Sequence, residues 1–174
     1  MTVRETIESQ AAKSVGAMLR RRCRLTPNRT AFTYPDRHEA WQSLTWAQTA
    51  ERIDVLAAGL LSLGLQPEQR VAIASSTRIE WILADFAINA AGLAATTVYP
   101  NTADDDVAYI LSDSATVVLF AENAEQLDKV VKHSELDEQV AHIVLFDGDS
   151  AGERVLSWTD FIARGKAYLA EHPT

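Results

Sequence analysis

The fold is decided by residues 70–100, which read RVAIASSTRIEWILADFAINAAGLAATTVYP. A short apolar run at Arg70–Ala74 is followed by a helical pattern over 78–91 and by a second apolar run at Ala94–Val98. Strands that are apolar along their whole length are typical of a parallel sheet that is buried on both faces. The helix between them supplies the crossover that parallel pairing requires. This stretch therefore predicts a β-α-β unit.

The same alternation continues through the rest of the chain. We expect an α/β fold with a mostly parallel sheet and helices on both faces. The further predicted elements are strands at Thr116–Phe120 and His142–Phe146, helices at 103–112, 123–133 and 157–170, and, before residue 70, a strand at 31–34 and a helix from 45 to 63.

Several helix ends are predicted from local chemistry. The pattern Thr45-Trp46-Ala47-Gln48 has the spacing of a capping box, in which two side chains satisfy otherwise unpaired backbone donors. The same spacing occurs at Thr77–Glu80 and at Thr102–Asp105. Gly64 stands where a left-handed residue would end the first of these helices.

The first residues of the chain are distinct in charge and pattern. Apolar residues at helical spacing, including Val15, Met18 and Leu19, predict an amphipathic helix over residues 3–23. We therefore divide the chain into an amphipathic basic helix at 1–25 and an α/β unit at 26–174. Arginines at positions 20, 21, 22 and 24 leave two interpretations open: a helix that lies on an anionic membrane surface, or a docked helix with solvated arginines.

Composition excludes some classes of function. The net charge of −8 is the sum of an excess of five positive charges in residues 1–30 and thirteen negative charges in the remainder. An acidic body argues against a nucleic-acid partner, because phosphates are bound by basic surface. Cys23 is the only cysteine, and the N-terminus lacks the apolar core of a signal peptide. We therefore expect a reducing, cytoplasmic location, and the membrane-surface interpretation of the basic helix would place the chain at the inner face of the membrane.

A resemblance to a known family is carried by three segments: Ala57-Ala58-Gly59-Leu60, Leu63-Gly64 and Arg70-Val71-Ala72-Ile73. Together they resemble the early signature of the adenylate-forming (AMP-binding) superfamily of acyl-CoA synthetases, luciferases and peptide-synthetase adenylation domains. One departure is Glu68-Gln69, where relatives commonly have Gly-Asp. The long-chain fatty acyl-CoA synthetase branch is resembled at Arg78-Ile79-Glu80-Trp81, Asp85, Ala91-Gly92, Val98-Tyr99-Pro100-Asn101-Thr102 and Tyr109-Ile110-Leu111-Ser112-Asp113-Ser114.

The resemblance implies a fatty acid–CoA ligase. Members of the family convert a carboxylate and Mg-ATP to an acyl-adenylate and then transfer the acyl group to the thiol of coenzyme A. ATP, magnesium and coenzyme A are therefore the implied cofactors. The implied partners are a fatty acid substrate, the rest of the enzyme and, in a homodimer, a second copy.

The phosphate loop of that family is rich in Gly and Ser/Thr and carries a Lys, and it follows the segment that aligns here. The seven glycines of this chain are too far apart to form such a loop. We therefore interpret the chain as part of a large N-terminal domain, incomplete at its C-terminus and inactive alone. No catalytic, cofactor-binding or metal-binding residue is assigned.

Other chemical motifs are better explained by structure. Asp104-Asp105-Asp106 could bind a cation, but acidic residues also stabilise a helix N-terminus. Asp147-Gly148-Asp149 predicts a turn, and Gly165-Lys166 lacks the other residues of a Walker loop. Cys23 continues the apolar stripe of its helix and is expected to be packed. The aromatic residues Trp41, Trp46, Trp81, Trp158 and Tyr99 are expected in the core and at the contact with the rest of the enzyme.

Two alternatives to the ligase interpretation remain at this point. One is a complete, small α/β binding module such as a receiver-like domain, although the clustered acids that a receiver needs at its strand ends are missing. The other is a segment that tethers a protein to the membrane surface through its basic helix.

Overall fold

The computed structural model describes residues 14–36 and 38–172 of the chain. The chain forms two compact units, one up to Glu51 and one from Arg52 onward. They are named here the N-terminal unit and the sheet unit. The predicted division into residues 1–25 and 26–174 stays a prediction.

The N-terminal unit contains a helix and a β-hairpin. Helix α1 (Val15–Leu25) begins after Ser14, whose side chain accepts a hydrogen bond from the backbone N–H of Ala17. The predicted helix over 3–23 therefore extends to Leu25, and its part before residue 14 lies outside the described residues. Cys23 is 8% exposed, which confirms that it is packed. The hairpin pairs β1 (Thr30–Pro35) with the antiparallel β2 (Trp41–Thr45), a strand that the sequence did not predict.

Helix α2 (Trp46–Leu61) begins at the predicted capping box. The backbone N–H of Thr45 donates to Oε1 of Gln48 at 2.9 Å, and the N–H of Gln48 donates to Oγ1 of Thr45 at 3.2 Å. Gly64, just beyond the helix, has a φ of +76°, as predicted for a left-handed turn.

The sheet unit contains five parallel strands in the order β4-β3-β5-β6-β7. The strands are β3 (Arg70–Ala74), β4 (Ala94–Val98), β5 (Thr116–Ala121), β6 (His142–Leu145) and β7 (Val155–Ser157), and the helices are α3 (Ile79–Ala90), α4 (Asp104–Asp113), α5 (Ala124–Val131) and α6 (Trp158–Glu171), with a short 3₁₀ turn at Ser134–Leu136. The predicted fold class is confirmed, and the four strands predicted for this sheet, β3 to β6, are confirmed to within one residue. Strand β7 was not predicted.

Two predicted helix caps are wrong. The N-cap residue of α3 is Arg78, and that of α4 is Ala103, and neither side chain caps its helix. Both helices begin one residue later than the capping-box pattern requires, so Thr77 and Thr102 lie outside the N-cap position. The Arg78 side chain instead binds acidic residues at the edge of the sheet.

The sheet is buried on both faces because its side chains alternate between two cores. On one face, Ala72, Ala74 and Leu119 pack in a cluster with residues of α4 and α5. On the other face, the ring of Phe120 lies 5.5 Å from that of Phe161 in α6. Successive strand residues point to opposite faces, so the apolar strands supply both cores at once.

Two glycines allow α6 to approach α2 closely. A Cβ atom at Gly165 would lie 2.0 Å from the backbone oxygen of Val55, and one at Gly59 would lie 2.8 Å from the ring of Phe161. Arg164 adds a hydrogen bond of 2.7 Å from its Nε to the hydroxyl of Ser62. Gly165 is therefore a packing residue inside a helix, in agreement with the exclusion of a Walker loop.

We predict that Gly165→Ala destabilises the chain by more than about 2 kcal/mol, because the two helix backbones must separate. The net destabilisation is expected even though helix propensity alone favours Ala over Gly by about 1 kcal/mol. Urea unfolding followed by circular dichroism measures the change. Lys166→Ala, at the next and exposed position, is the matched control and should be nearly neutral. An unchanged or raised free energy of unfolding for Gly165→Ala would contradict the close contact.

Candidate functional site

The strand order identifies the edge at which a ligand site is expected. In open α/β sheets of this order, ligands bind outside the carboxyl ends of the strands, where successive connections leave toward opposite faces. Here that place lies between β3 and its neighbour β5. The side chains at this edge form a group that we name the carboxyl-edge cluster, which consists of Ser76, Arg78, Glu80, Glu122 and Asp147.

Glu122 joins the ends of β3 and β5. Its carboxylate accepts the backbone N–H of Ser76 at 2.7 Å and the hydroxyl of Ser76 at 2.8 Å. Its own N–H donates to the carbonyl of Ala74 at 2.9 Å, which continues the pairing of the two strands. A carboxylate of the chain itself thus binds the backbone amide that follows β3.

Arg78 connects the same edge to β6. Its Nε donates to Glu80 at 2.7 Å, its two terminal nitrogens donate to the two carboxylate oxygens of Asp147, and Glu122 lies 4.0 Å away. The guanidinium also lies over the ring of Phe146, 5.8 Å from its centre. The hydrogen bond to Asp147, followed by the interactions with Glu80, raises the pKa of Arg78 above its usual value despite partial burial. Residues that follow three different strands are therefore held by one cation.

These residues do not fit a nucleotide or its magnesium ion. The groups that would bind phosphate, the Ser76 amide and the Arg78 guanidinium, are both already bonded to carboxylates. The loop after β3 reads Ser-Ser-Thr and lacks the glycines that let backbone amides surround a phosphate. Within residues 14–36 and 38–172, no group of three or more His, Cys, Asp or Glu side chains could hold a metal ion. In this chain the cluster is a structural connection between strand ends.

The acidic run at residues 104–106 lies in the first turn of α4, as the helix-stabilising interpretation predicted. Asp104 accepts a hydrogen bond of 2.6 Å from Lys132, and this bond lowers the pKa of the Asp104 carboxyl. The carboxylate therefore interacts with an ammonium group as well as with the positive end of the helix. The predicted turn after β6 contains Asp147, which belongs to the carboxyl-edge cluster.

A buried lysine fixes the loop between β4 and α4. Lys129 is 8% exposed, and its ammonium donates to the carbonyls of Pro100 at 2.6 Å and of Thr102 at 3.0 Å. Gln126, one turn earlier on α5, donates to the same Pro100 carbonyl at 3.0 Å. Sequence reasoning missed both residues. The sequence pattern that could have indicated a buried lysine was the position of Lys129 next to Val130, on the apolar face of the helix.

The aromatic residues only partly follow the expectation of core packing. Trp46, Trp81 and Trp158 are half-buried, whereas Tyr99 is 77% exposed and Trp41 is 72% exposed. Tyr99 and Trp41 therefore lie outside the core, and for them the expected contact with the rest of the enzyme stays a prediction. Tyr99 directly precedes Pro100, whose carbonyl accepts from Lys129, and Trp41 is the first residue of β2 in the hairpin.

We predict that Arg78→Gln lowers the free energy of unfolding by about 1–3 kcal/mol, because the carboxylates of the cluster lose their shared cation. Arg78→Lys keeps the charge but cannot form the paired hydrogen bonds, so its loss should be intermediate. Arg70→Gln, at an exposed position on β3, is the matched control, with an expected change within about 0.5 kcal/mol. Chemical denaturation measures all three. Equal effects of Arg78→Gln and Arg70→Gln would show that the cluster does not stabilise the edge.

His142, at the amino end of β6, should make the chain sensitive to acid. Burial and the nearby charge of Arg164 lower the pKa of His142, and its Nδ1 is buried without a hydrogen-bond partner among the described residues. As the pH falls below about 6.5, His142 is therefore protonated in the unfolded chain before it is protonated in the folded chain. The free energy of unfolding decreases until the pH is below the pKa of His142 in the folded chain. We predict that His142→Gln reduces the loss of melting temperature between pH 7.5 and pH 5. An identical loss in both proteins would contradict this role.

Comparison with known proteins supports one family. The model of the family described as "AMP-binding enzyme" matches residues 19–170. Among curated proteins, long-chain-fatty-acid–CoA ligase FadD15 of Mycobacterium bovis is 42% identical over 94 residues, which are 54% of this chain. The chain spans 16% of the length of that relative.

Solved structures agree with the fold. A Rhodopseudomonas palustris protein, provisionally named a long-chain-fatty-acid CoA ligase, superposes with a TM-score of 0.73 and 28% identity, and the match covers 85% of this chain and 36% of that one. The anthranilate CoA ligase AuaEII, solved with anthranoyl-AMP, superposes with a TM-score of 0.77 over 89% of this chain and 29% of that one. Its identity is 24%, so this likeness concerns the fold.

No helix within the described residues is both long and apolar enough to cross a membrane. The family match extends from α1 to α6 and includes the whole five-stranded sheet. The resemblance found in the sequence is thereby confirmed, and the chain belongs to the AMP-binding enzyme family, with acyl-CoA ligases among its relatives.

Proposed function

We propose that this chain is the N-terminal part of an ATP-dependent long-chain fatty acid–CoA ligase. Such an enzyme joins a fatty acid to coenzyme A through an acyl-adenylate and releases AMP and diphosphate. The observation that carries the proposal is the 42% identity to a long-chain-fatty-acid–CoA ligase within a chain whose family match covers residues 19–170. Since the chain spans 16% of that relative, the activity is proposed for the whole protein.

The proposed role of these residues is structural. The sheet unit supplies five parallel strands whose carboxyl ends are joined by the carboxyl-edge cluster. Because the phosphate-binding groups at this edge are bonded to carboxylates, the sites for ATP, magnesium and coenzyme A belong to the rest of the enzyme. The chain alone is accordingly proposed to be inactive, and its main partner is the remaining polypeptide.

The long-chain substrate is favoured over other acids by the identity of the relative. The neighbour that carries anthranoyl-AMP is 24% identical, so it supports the fold and not an aromatic substrate. A cytoplasmic location is proposed from the single cysteine, because one cysteine allows no intrachain disulfide and is compatible with a reducing compartment. The stand-alone binding module has no support in the comparisons.

The test is an assay of the whole protein that contains this chain. We predict that it forms palmitoyl-CoA from palmitate, ATP and coenzyme A, and that acetate, anthranilate and free amino acids are poor substrates. Residues 1–174 alone should give no fatty-acid-dependent exchange of diphosphate into ATP. Chromatography of the thioester product and isotope exchange measure these two outcomes.

Two results would contradict the proposal. A preference of the whole protein for an amino acid or a short acid would remove the long-chain assignment, and adenylate formation by residues 1–174 would remove the structural role. The matched variants are Arg78→Gln and Arg70→Gln in the whole protein. If the role is structural, Arg78→Gln lowers the amount of folded enzyme while kcat per folded molecule stays unchanged.

A further inference from the structure

Helix α1 carries an apolar stripe that the fold leaves exposed. Val15, Met18 and Leu25 are 44%, 57% and 65% exposed, and they are three of the eight large apolar residues that are exposed in the described chain. Their spacing of three and seven residues places them along one side of the helix, and Arg22 lies among them with its guanidinium over the ring of Trp46. The buried residues of α1, Gly16, Leu19 and Cys23, form a separate stripe beside them. Helix α1 thus has apolar side chains that are buried and a second set of apolar side chains that are exposed to the surroundings.

The polar residues of α1 are of one sign. The helix contains four arginines and no acidic residue, whereas residues 52–174 contain 19 acidic residues against eight lysines and arginines. Arg21 lies one turn from both Met18 and Leu25, so it flanks the exposed stripe, and Arg24 is exposed beside it. An anionic surface would attract this helix by its charge.

We propose that α1 binds an anionic lipid surface, with Val15, Met18 and Leu25 in the apolar boundary of the bilayer and the exposed Arg24 among the phosphate headgroups. The combination of exposed apolar side chains with positive charge on one helix favours a lipid surface over other partners. A nucleic acid would use the arginines but has no place for three aliphatic side chains. A symmetric pairing of α1 with itself would bring like charges together. A helix that lies in the interface plane needs both a basic side and an apolar side. The inference does not depend on the ligase activity.

The test is sedimentation of the whole 174-residue chain with two sets of vesicles: phosphatidylcholine alone, and phosphatidylcholine with about 30% phosphatidylserine. At low salt, the partition coefficient on the anionic vesicles should be at least about ten times that on neutral vesicles, and added salt should reduce it. The double variant Met18→Gln/Leu25→Gln should bind about tenfold more weakly, and Arg24→Gln several-fold more weakly.

The matched control removes exposed apolar groups elsewhere. Tyr109→Gln/Val131→Gln changes two exposed residues of the sheet unit and should leave the partition coefficient within about twofold of the unchanged chain. Circular dichroism checks that each variant is folded. If the α1 double variant does not fold, the lipid and salt dependence of the unchanged chain still decides the question.

Three outcomes would overturn the proposal. The unchanged chain could fail to sediment with anionic vesicles, or it could sediment equally with neutral ones. Equal binding by the unchanged chain and a folded Met18→Gln/Leu25→Gln variant would show attraction by charge alone. Gel filtration tests whether the stripe instead contacts a second copy of the chain. If the unchanged chain is a dimer that does not bind lipid, and Met18→Gln/Leu25→Gln dissociates it, the stripe is a dimer contact.

Discussion

The pairing of β3 with strands on both of its sides is the constraint on which the sheet unit depends. Residues 71–74 are at most 1% exposed, so their backbone groups cannot be hydrated and must bond to β4 and β5. Parallel neighbours require crossovers, and the buried faces require helices above and below. The same pairing brings the residues that follow β3, β5 and β6 to one edge. The carboxyl-edge cluster is therefore a consequence of burying a five-residue strand.

The elements that could be predicted are those whose sequence pattern lies within one continuous segment of the chain. Strands β3 and β4 and the Thr45–Gln48 capping box were predictable because an apolar run or a four-residue spacing contains the whole signal. Strand β7 has three residues, and its strand geometry comes from pairing with β6. The two wrong helix caps show the same limit. Thr77 has the right spacing to Glu80, but α3 begins one residue later, and the side chain of its N-cap residue, Arg78, is bonded to residues at the edge of the sheet.

The candidate site was less predictable than the fold. Arg78 and Asp147 are 69 residues apart, and Ser76 and Glu122 are 46 apart, so only the strand order brings them together. The burial of Lys129 depends on two carbonyls of a distant loop, which no local pattern contains. Sequence reasoning could find that a phosphate loop was missing. It could not find that the Glu122 carboxylate binds the amide and hydroxyl of Ser76.

The place of Glu122 has a consequence for solutes that reach this edge. Its carboxylate is tethered to the same polypeptide as the Ser76 amide that it binds, so its effective concentration there far exceeds that of a metabolite in solution. A free phosphate or carboxylate must compete with this internal ligand before it can touch the sheet edge. An anion can bind the Ser76 amide and hydroxyl only by displacing a carboxylate that belongs to the same chain.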